Sequence, residues 1–357
     1  MAKKKVLILC PPPVERGGVA DYYRLVKQYF SSDRVDLEFY YTGKSSAQGV
    51  GSNRLVKSAR DLIGLCRVLR APDLVVLNPS LDPKAVIRDG VYHFLAKRVF
   101  GRKTLVFFHG WELDFERAIA RHARYLFRTM FNFDRGVVLA SQFKNAMIDW
   151  GYDPDALTVE TTIYEAQDCR GERDLSRVAF LSRFEQGKGC LEAIQAVELA
   201  AVEFSAIKLY MIGDGSMMPE LKRYVAGRHL ENNVVFTGWL KGSAKYQVLK
   251  ECGTMLYPTR FGEGMPICLL EGMGMGMVVI TRPVAGIRDI VVDGENGYLI
   301  ESTDPAAFAE RLRQLLRQPA LGRMVANSCK IQAEERFEIS NVAKRMERIY
   351  FETGGEA

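Results

Sequence analysis

One pattern constrains this chain more than any other: short continuous runs of Val, Ile and Leu recur along it, separated by longer stretches with helical spacing. In the first half the runs are Val6–Cys10, Asp36–Tyr41, Leu74–Leu77, Leu105–Phe108 and Val137–Ala140, with helical stretches near Asp21–Tyr29, Arg54–Arg70, Lys84–Phe100 and Phe115–Phe131. The pattern restarts with Val178–Leu181, Ile207–Ile212, Val234–Thr237, Thr254–Tyr257, Val278–Ile280 and Tyr298–Ile300. A strand that is apolar without alternation is buried on both faces, which is the situation of a parallel sheet covered by helices. Two such series predict two doubly wound α/β domains, and 357 residues are enough for two cores. Regular pattern lapses over Val159–Asp174. The expected division is therefore 1–165, 166–335 and a terminal helix within 336–357, read over Glu334–Phe351 and expected to pack back on the first domain.

Composition excludes several classes. With 48% hydrophobic and 26% charged residues the chain is neither fibrous nor disordered. No apolar run approaches the roughly 18 residues of a membrane-spanning helix. The basic start followed by Val6–Cys10 and three prolines reads as a first buried strand and not as a signal peptide. Seven cysteines without a C-x-x-C pair point to a reducing, cytoplasmic setting with no disulfide frame and no zinc site. The net charge of +6 is uneven: the first 170 residues hold 26 Lys/Arg against 19 Asp/Glu, and the remainder 23 against 24. Arg54–Arg70 mixes five cations with leucines, and Arg117–Arg128 sets Arg117, Arg121, Arg124 and Arg128 at three- and four-residue steps. Such helices suit the anionic inner face of a membrane, or form merely a solvated cationic surface. No aromatic-basic RNA motif is present, so nucleic acid is not an expected partner.

Doubly wound sheets bind ligands outside the carboxyl ends of their strands, so motifs there matter most. After the first run, Gly17-Gly18 precedes a helix and is either a plain turn or a place where backbone N–H groups meet an anion. His109 follows Leu105–Phe108 and could bond a hydroxyl or move a proton. Arg183 and Lys188 lie on one glycine-bearing loop and could grip a diphosphate, one as a planar fork and one as a point charge. Gly213-Asp214-Gly215 is a tight strand-end turn, while Phe236 to Trp239 close another strand end, suited to offering backbone groups to a planar base. The strongest signal is Glu263-Gly264-Met265-Pro266-Ile267-Cys-Leu-Leu-Glu271, with Glu263 on a loop and Glu271 about two turns into a helix. Free N–H groups over Gly264–Ile267 suit an anion or sugar hydroxyls, and carboxylates accept from vicinal hydroxyls. The glycines of Gly272-Met-Gly274-Met-Gly276 imply close backbone packing or close ligand approach. Asp153-Pro-Asp155 reads as a turn.

In this order and spacing these residues resemble the family 4 glycosyltransferases, retaining enzymes of the GT-B fold, whose two Rossmann-like domains face a central cleft. Ala285-Gly286-Ile287 and Asp293–Gly297 match later family positions. The resemblance implies transfer of a sugar from a nucleoside-diphosphate sugar, UDP- or GDP-linked, to a glycan or lipid-linked saccharide, without a catalytic metal or other cofactor. It implies that Arg183 and Lys188 hold the diphosphate beside Gly18, that Glu271 binds the ribose and that Glu263 binds sugar hydroxyls. It also implies that His109 approaches the 6-position of that sugar, near the reacting carbon. Departures occur at Thr158–Tyr164, Arg288-Asp289 and Gly274–Val278. A nucleotide-sugar epimerase, a phosphorylase-like enzyme or a non-catalytic sugar-nucleotide-binding subunit are the competing readings.

Overall fold

The computed structural model describes residues 3–15, 17–42, 62–169, 171–262 and 264–354. It contains two compact units, Met1–Thr162 with Ile339–Ala357, and Ile163–Glu338.

The sheet of the first unit is built from β1 (Lys4–Cys10), β2 (Val35–Tyr41), β3 (Leu74–Leu77), β5 (Lys103–Phe108), β7 (Arg135–Val138) and β8 (Leu157–Val159). Their order is β2-β1-β3-β5-β7-β8, and each pairing is parallel. Two short strands, β4 (Ser80–Leu81) and β6 (Gly110–Trp111), pair with each other beyond β3 and β5. Val6 to Cys10, Leu74 to Leu77 and Leu105 to Phe108 are all buried, as strands covered on both faces must be.

Three helical expectations need correction. The stretch expected at Lys84–Phe100 is an α-helix over Pro83–Phe94, capped by the Asp82 carboxylate, that loosens into a π turn over Leu95–Val99. The stretch expected at Phe115–Phe131 divides into Leu113–Ala118, a π turn at Ile119–Ala123 and Arg124–Met130. A π turn carries an extra residue, so Arg117 and Arg121 fall out of helical phase with Arg124 and Arg128 and do not form one straight stripe. The expected terminal helix is instead two: Pro319–Phe337 and Ile339–Glu352. They part at Glu338, whose extended backbone bridges Tyr164, while the Phe337 carbonyl accepts from Tyr164 N at 3.3 Å. Within the Arg54–Arg70 run, residues 54–61 lie outside the described residues; 62–68 are helical, with Leu65 and Leu69 buried.

The helix Ile339–Glu352 completes the first unit. Ile339, Val342, Met346 and Tyr350 are buried, and the Lys4 ammonium donates to the carbonyls of Phe351 (2.9 Å) and Thr353 (2.6 Å). Arg345 forks onto the buried Glu160 carboxylate at 2.8 and 3.0 Å. Asp153-Pro-Asp155 is a capped turn, the Asp153 carboxylate accepting from Asp155 N at 3.0 Å.

The second unit repeats the plan with β9 (Asp174–Leu181), β10 (Lys208–Ile212), β11 (Val234–Gly238), β12 (Cys252–Tyr257), β13 (Val278–Thr281) and β14 (Tyr298–Leu299). The order is β11-β10-β9-β12-β13-β14, again parallel throughout. Its glycine run is explained by packing: a Cβ on Gly274 would sit 2.1 Å from the Tyr164 ring, and one on Gly272 would meet Met255 at 3.0 Å. Asn296 of the Asp293–Gly297 turn is buried; its amide donates to Ile290 O (2.9 Å) and Gln332 (2.7 Å), so it closes a loop. All seven cysteines are free thiols.

Candidate functional site

The carboxyl ends of the strands in the second unit are stitched together by backbone hydrogen bonds. Beyond β9, Ser182 N donates to Ile212 O (3.2 Å) and Phe184 N to Asp214 O (2.9 Å). Met217 N returns a bond to Phe184 O at 3.0 Å, and Gly213 N reaches Gly238 O at the end of β11 at 3.0 Å. The loop that follows β12 joins the same group, with Arg260 N donating to Gly187 O at 2.7 Å. Such approach demands missing side chains: a Cβ on Gly213 would lie 1.9 Å from Ser182 O, and one on Gly215 would lie 2.4 Å from Phe184 O. Four strand-end loops thus form one surface, where doubly wound sheets receive ligands.

Arg183 is exposed at the mouth of β9. Lys188 is only 6% exposed, and its ammonium lies over the Phe261 ring at 3.9 Å from the centroid. An aromatic face attracts a cation by its quadrupole, so Phe261 helps hold a charge that the loop has taken from water. Gly189, in the left-handed region at φ 84°, turns the chain from Lys188 into the helix Cys190–Ala201.

Glu271 is buried in the helix Ile267–Gly274, and as its fifth residue it lies one turn from the start, where the sequence suggested two. Its Oε1 accepts from the Lys245 ammonium and from the Tyr246 hydroxyl, the latter at 3.0 Å. Both partners belong to the helix Gly242–Glu251. A buried carboxylate needs such compensation, and here it is provided before any ligand arrives. Pro266 precedes the helix without a side-chain cap, and its carbonyl accepts from Leu269 N at 3.1 Å. Gly264 and Met265 are buried beside it. Glu263 lies outside the described residues.

Other expected residues take smaller parts. The Asp214 carboxylate accepts from Gly215 N at 2.8 Å and shapes its own turn. Phe236 is half-buried on β11, and Trp239 just after it is 44% exposed. In the first unit, Gly17 precedes the helix Gly18–Tyr29 with φ 153°, and a Cβ there would meet nothing within 4 Å. His109 follows β5, half-buried among Phe107, Tyr22 and Tyr23, with Nε2 at 3.0 Å from Asn78 Oδ1. Burial pushes its pKa down to about 3, so the ring is neutral at pH 7.

Sequence reasoning missed Lys245, Tyr246, Phe261 and Asn78. Lys245 and Tyr246 stand 26 and 25 positions before Glu271, and no local motif ties them to it. Among the described residues no group of three His, Cys, Asp or Glu side chains could hold a metal ion. Among them too, no helix is long and apolar enough to cross a membrane.

Residues 176–318 match the family model "Glycosyl transferases group 1". The N-acetyl-alpha-D-glucosaminyl L-malate synthase of Bacillus anthracis is 27% identical over 172 residues, 48% of this chain and 44% of its own length. The phosphatidyl-myo-inositol mannosyltransferase of Mycobacterium leprae is 30% identical over 199 residues, 55% of this chain and 52% of its own. The chain thus spans about half the length of the curated relatives it matches. The crystal structure of Anabaena HepE in complex with UDP-glucose superposes with a TM-score of 0.75 over 97% of this chain and 98% of HepE, at 16% identity. Through residues 176–318 the second unit is thus similar to the group 1 glycosyltransferases, and the fold of the chain is that of the GT-B enzymes.

Proposed function

We propose that this chain is a retaining glycosyltransferase that moves a sugar from a nucleoside-diphosphate sugar, UDP- or GDP-linked, to a glycan or lipid-linked saccharide. The reading rests chiefly on one observation: the stitched strand ends of the second unit carry Arg183, the buried Lys188 and the pre-compensated Glu271 on a single edge. In this reading Arg183 and Lys188 neutralise the diphosphate, which gains charge as the sugar leaves. Fixed cations aimed at developing charge lower the barrier without having to reorganise, and no metal is needed for that task. Glu271 takes the ribose hydroxyls through its carboxylate, and Phe236 or Trp239 lies beside the base. Glu263 and His109 serve the sugar. The HepE complex with UDP-glucose and the names of both curated relatives support a sugar-transfer role. Retention then follows from attack on the face the diphosphate leaves, without an enzyme nucleophile.

The test is release of nucleoside diphosphate from a panel of UDP- and GDP-sugars, with and without glycan or lipid-linked acceptors. Release that depends on acceptor supports transfer; conversion without acceptor supports the epimerase or phosphorylase-like alternative. Binding with no turnover in either condition supports a non-catalytic subunit.

A membrane-borne acceptor in cell-surface glycoconjugate synthesis is favoured by the surface of the first unit. Ile87, Val91 and Phe94 are exposed at i, i+4 and i+7 of the helix Pro83–Phe94, and Tyr125 and Leu126 are exposed on Arg124–Met130. Gly90 of the one helix sits against Met130 of the other, so the two sets are neighbours, and Arg117, Arg121, Arg124 and Arg128 are exposed nearby. An apolar stripe edged by cations suits anionic lipid. Co-sedimentation should require anionic vesicles and weaken in salt; equal binding to neutral vesicles contradicts it.

A further inference from the structure

Glu271 presents its two oxygens unequally. Oε1 accepts from both the Lys245 ammonium and the Tyr246 hydroxyl, while Oε2 has no partner among the described residues. Nor is Oε2 among the buried side-chain atoms left without a hydrogen bond, so it opens to solvent. The side chain as a whole stays buried, and that of Lys245 is only 18% exposed. The Lys245 ammonium also lies over the Tyr246 ring, 4.5 Å from its centroid. Two adjacent residues of the helix Gly242–Glu251 thus deliver a cation, its aromatic support and a hydroxyl to one oxygen. Two donors on the same atom hold the plane of the carboxylate, because turning it would break both bonds.

The pairing has an electrostatic consequence. Repulsion between like charges falls only as the inverse of their separation, and burial weakens screening by salt. An unpaired carboxylate at this edge would therefore oppose an anion held by Arg183 and Lys188. Lys245 brings the net charge of the pair to zero and leaves Oε2 as an acceptor.

We propose that Lys245 and Tyr246 are positioning residues of the second unit: Tyr246 helps fix the outward turn of Glu271 Oε2, and Lys245 cancels the carboxylate's charge, so that Glu271 accepts from hydroxyls without repelling the diphosphate joined to them. This inference rests on the reading that Glu271 meets the ribose, and it adds that the carboxylate serves there only with its cation in place.

A double-mutant cycle on the full chain tests the division of labour, read as calorimetric affinity for whichever of UDP and GDP binds the wild type more tightly. Glu271→Gln keeps the shape of the side chain and removes its charge; alone, it should weaken binding at least threefold. Lys245→Gln keeps a neutral donor and should weaken binding at least tenfold, whereas Lys245→Arg should stay within threefold of the wild type. Adding Glu271→Gln to Lys245→Gln should then raise affinity at least threefold, a reversal of sign that lost packing would not produce. No change or a further loss in that background overturns the charge-cancelling role. Lys245→Met makes the same comparison should Lys245→Gln not fold. Tyr246→Phe should weaken binding about threefold, and Glu271→Gln added there should weaken it again because the cation remains; a gain would overturn the separate roles of the two residues. Unchanged affinity in the single variant Glu271→Gln would instead remove the ribose reading itself, whatever Lys245 does.

Discussion

The two units share a scaffold but equip its carboxyl edge in opposite ways. In the second unit that edge carries an exposed Arg183, a Lys188 seated on an aromatic face and a Glu271 already paired with Lys245. In the first unit neutral groups gather at the corresponding edge: Asn78, Tyr22, Tyr23 and His109 meet there, and burial pushes the pKa of the imidazole down. On the proposed reading the parallel sheet supplies a place for a ligand, and the side chains at its strand ends set the ligand's charge.

The largest expected effect tests the charged edge. Lys188→Ala should reduce transfer by about a hundred- to a thousandfold, the range for loss of one preorganised group that meets developing charge. Steady-state kinetics beside an unchanged circular dichroism spectrum checks this. If only KM rose, Lys188 would bind ground state and transition state alike.

Next is the compensation of Glu271. Lys245→Met should cost about 3 kcal/mol of stability, because it removes the cation partner of a buried carboxylate. The double variant Lys245→Met with Glu271→Gln should regain part of that loss in chemical denaturation. Strict additivity would mean that the two side chains are not coupled.

A smaller effect distinguishes packing from ligand approach at the glycine run. Gly274→Ala should lower stability by about 2 kcal/mol through overpacking against Tyr164, while UDP or GDP affinity is retained. Lost affinity with intact stability would point to ligand approach instead.

The smallest effect concerns acid. His93 is buried and its pKa is pushed down to about 4, chiefly by burial, against an ordinary 6.5. Its folded value is depressed, so the unfolded chain takes up the proton first; stability is complete above pH 6.5 and falls between there and pH 4. Between pH 7 and 5.5 the loss should be about 1 kcal/mol, and His93→Gln should flatten that part of the urea-midpoint profile. An unchanged slope would assign the acid sensitivity to other groups.

These contrasts also show what was legible in the sequence. Runs such as Leu74–Leu77 and Val278–Ile280 announce buried parallel strands because continuous apolarity has few other uses, and the glycines at Gly213 and Gly215 mark where loops must touch. The two-residue strands β4 and β6 and the three-residue β8 are too short to carry a period. The π turns at Leu95–Val99 and Ile119–Ala123 follow from tertiary packing and leave no local signature. At the candidate sites, Arg183, Lys188 and His109 stand out in the sequence because each lies on a loop after a strand, and Glu271 because it closes the Glu263–Glu271 spacing. Their supports are not: Lys245 reaches Glu271 from another helix, and Asn78 reaches His109 from another strand. Such partners are chosen by the sheet order β2-β1-β3-β5-β7-β8 and its counterpart, which becomes visible only when the strands are assembled.

The most direct test of the central claim is calorimetric titration of UDP and GDP into the wild-type chain, Lys188→Ala, Glu271→Ala and Asn78→Asp. The account predicts at least a tenfold loss of affinity in the first two variants and wild-type affinity in the third. Wild-type affinity in Lys188→Ala and Glu271→Ala would contradict it and remove the nucleotide from the edge of the second sheet.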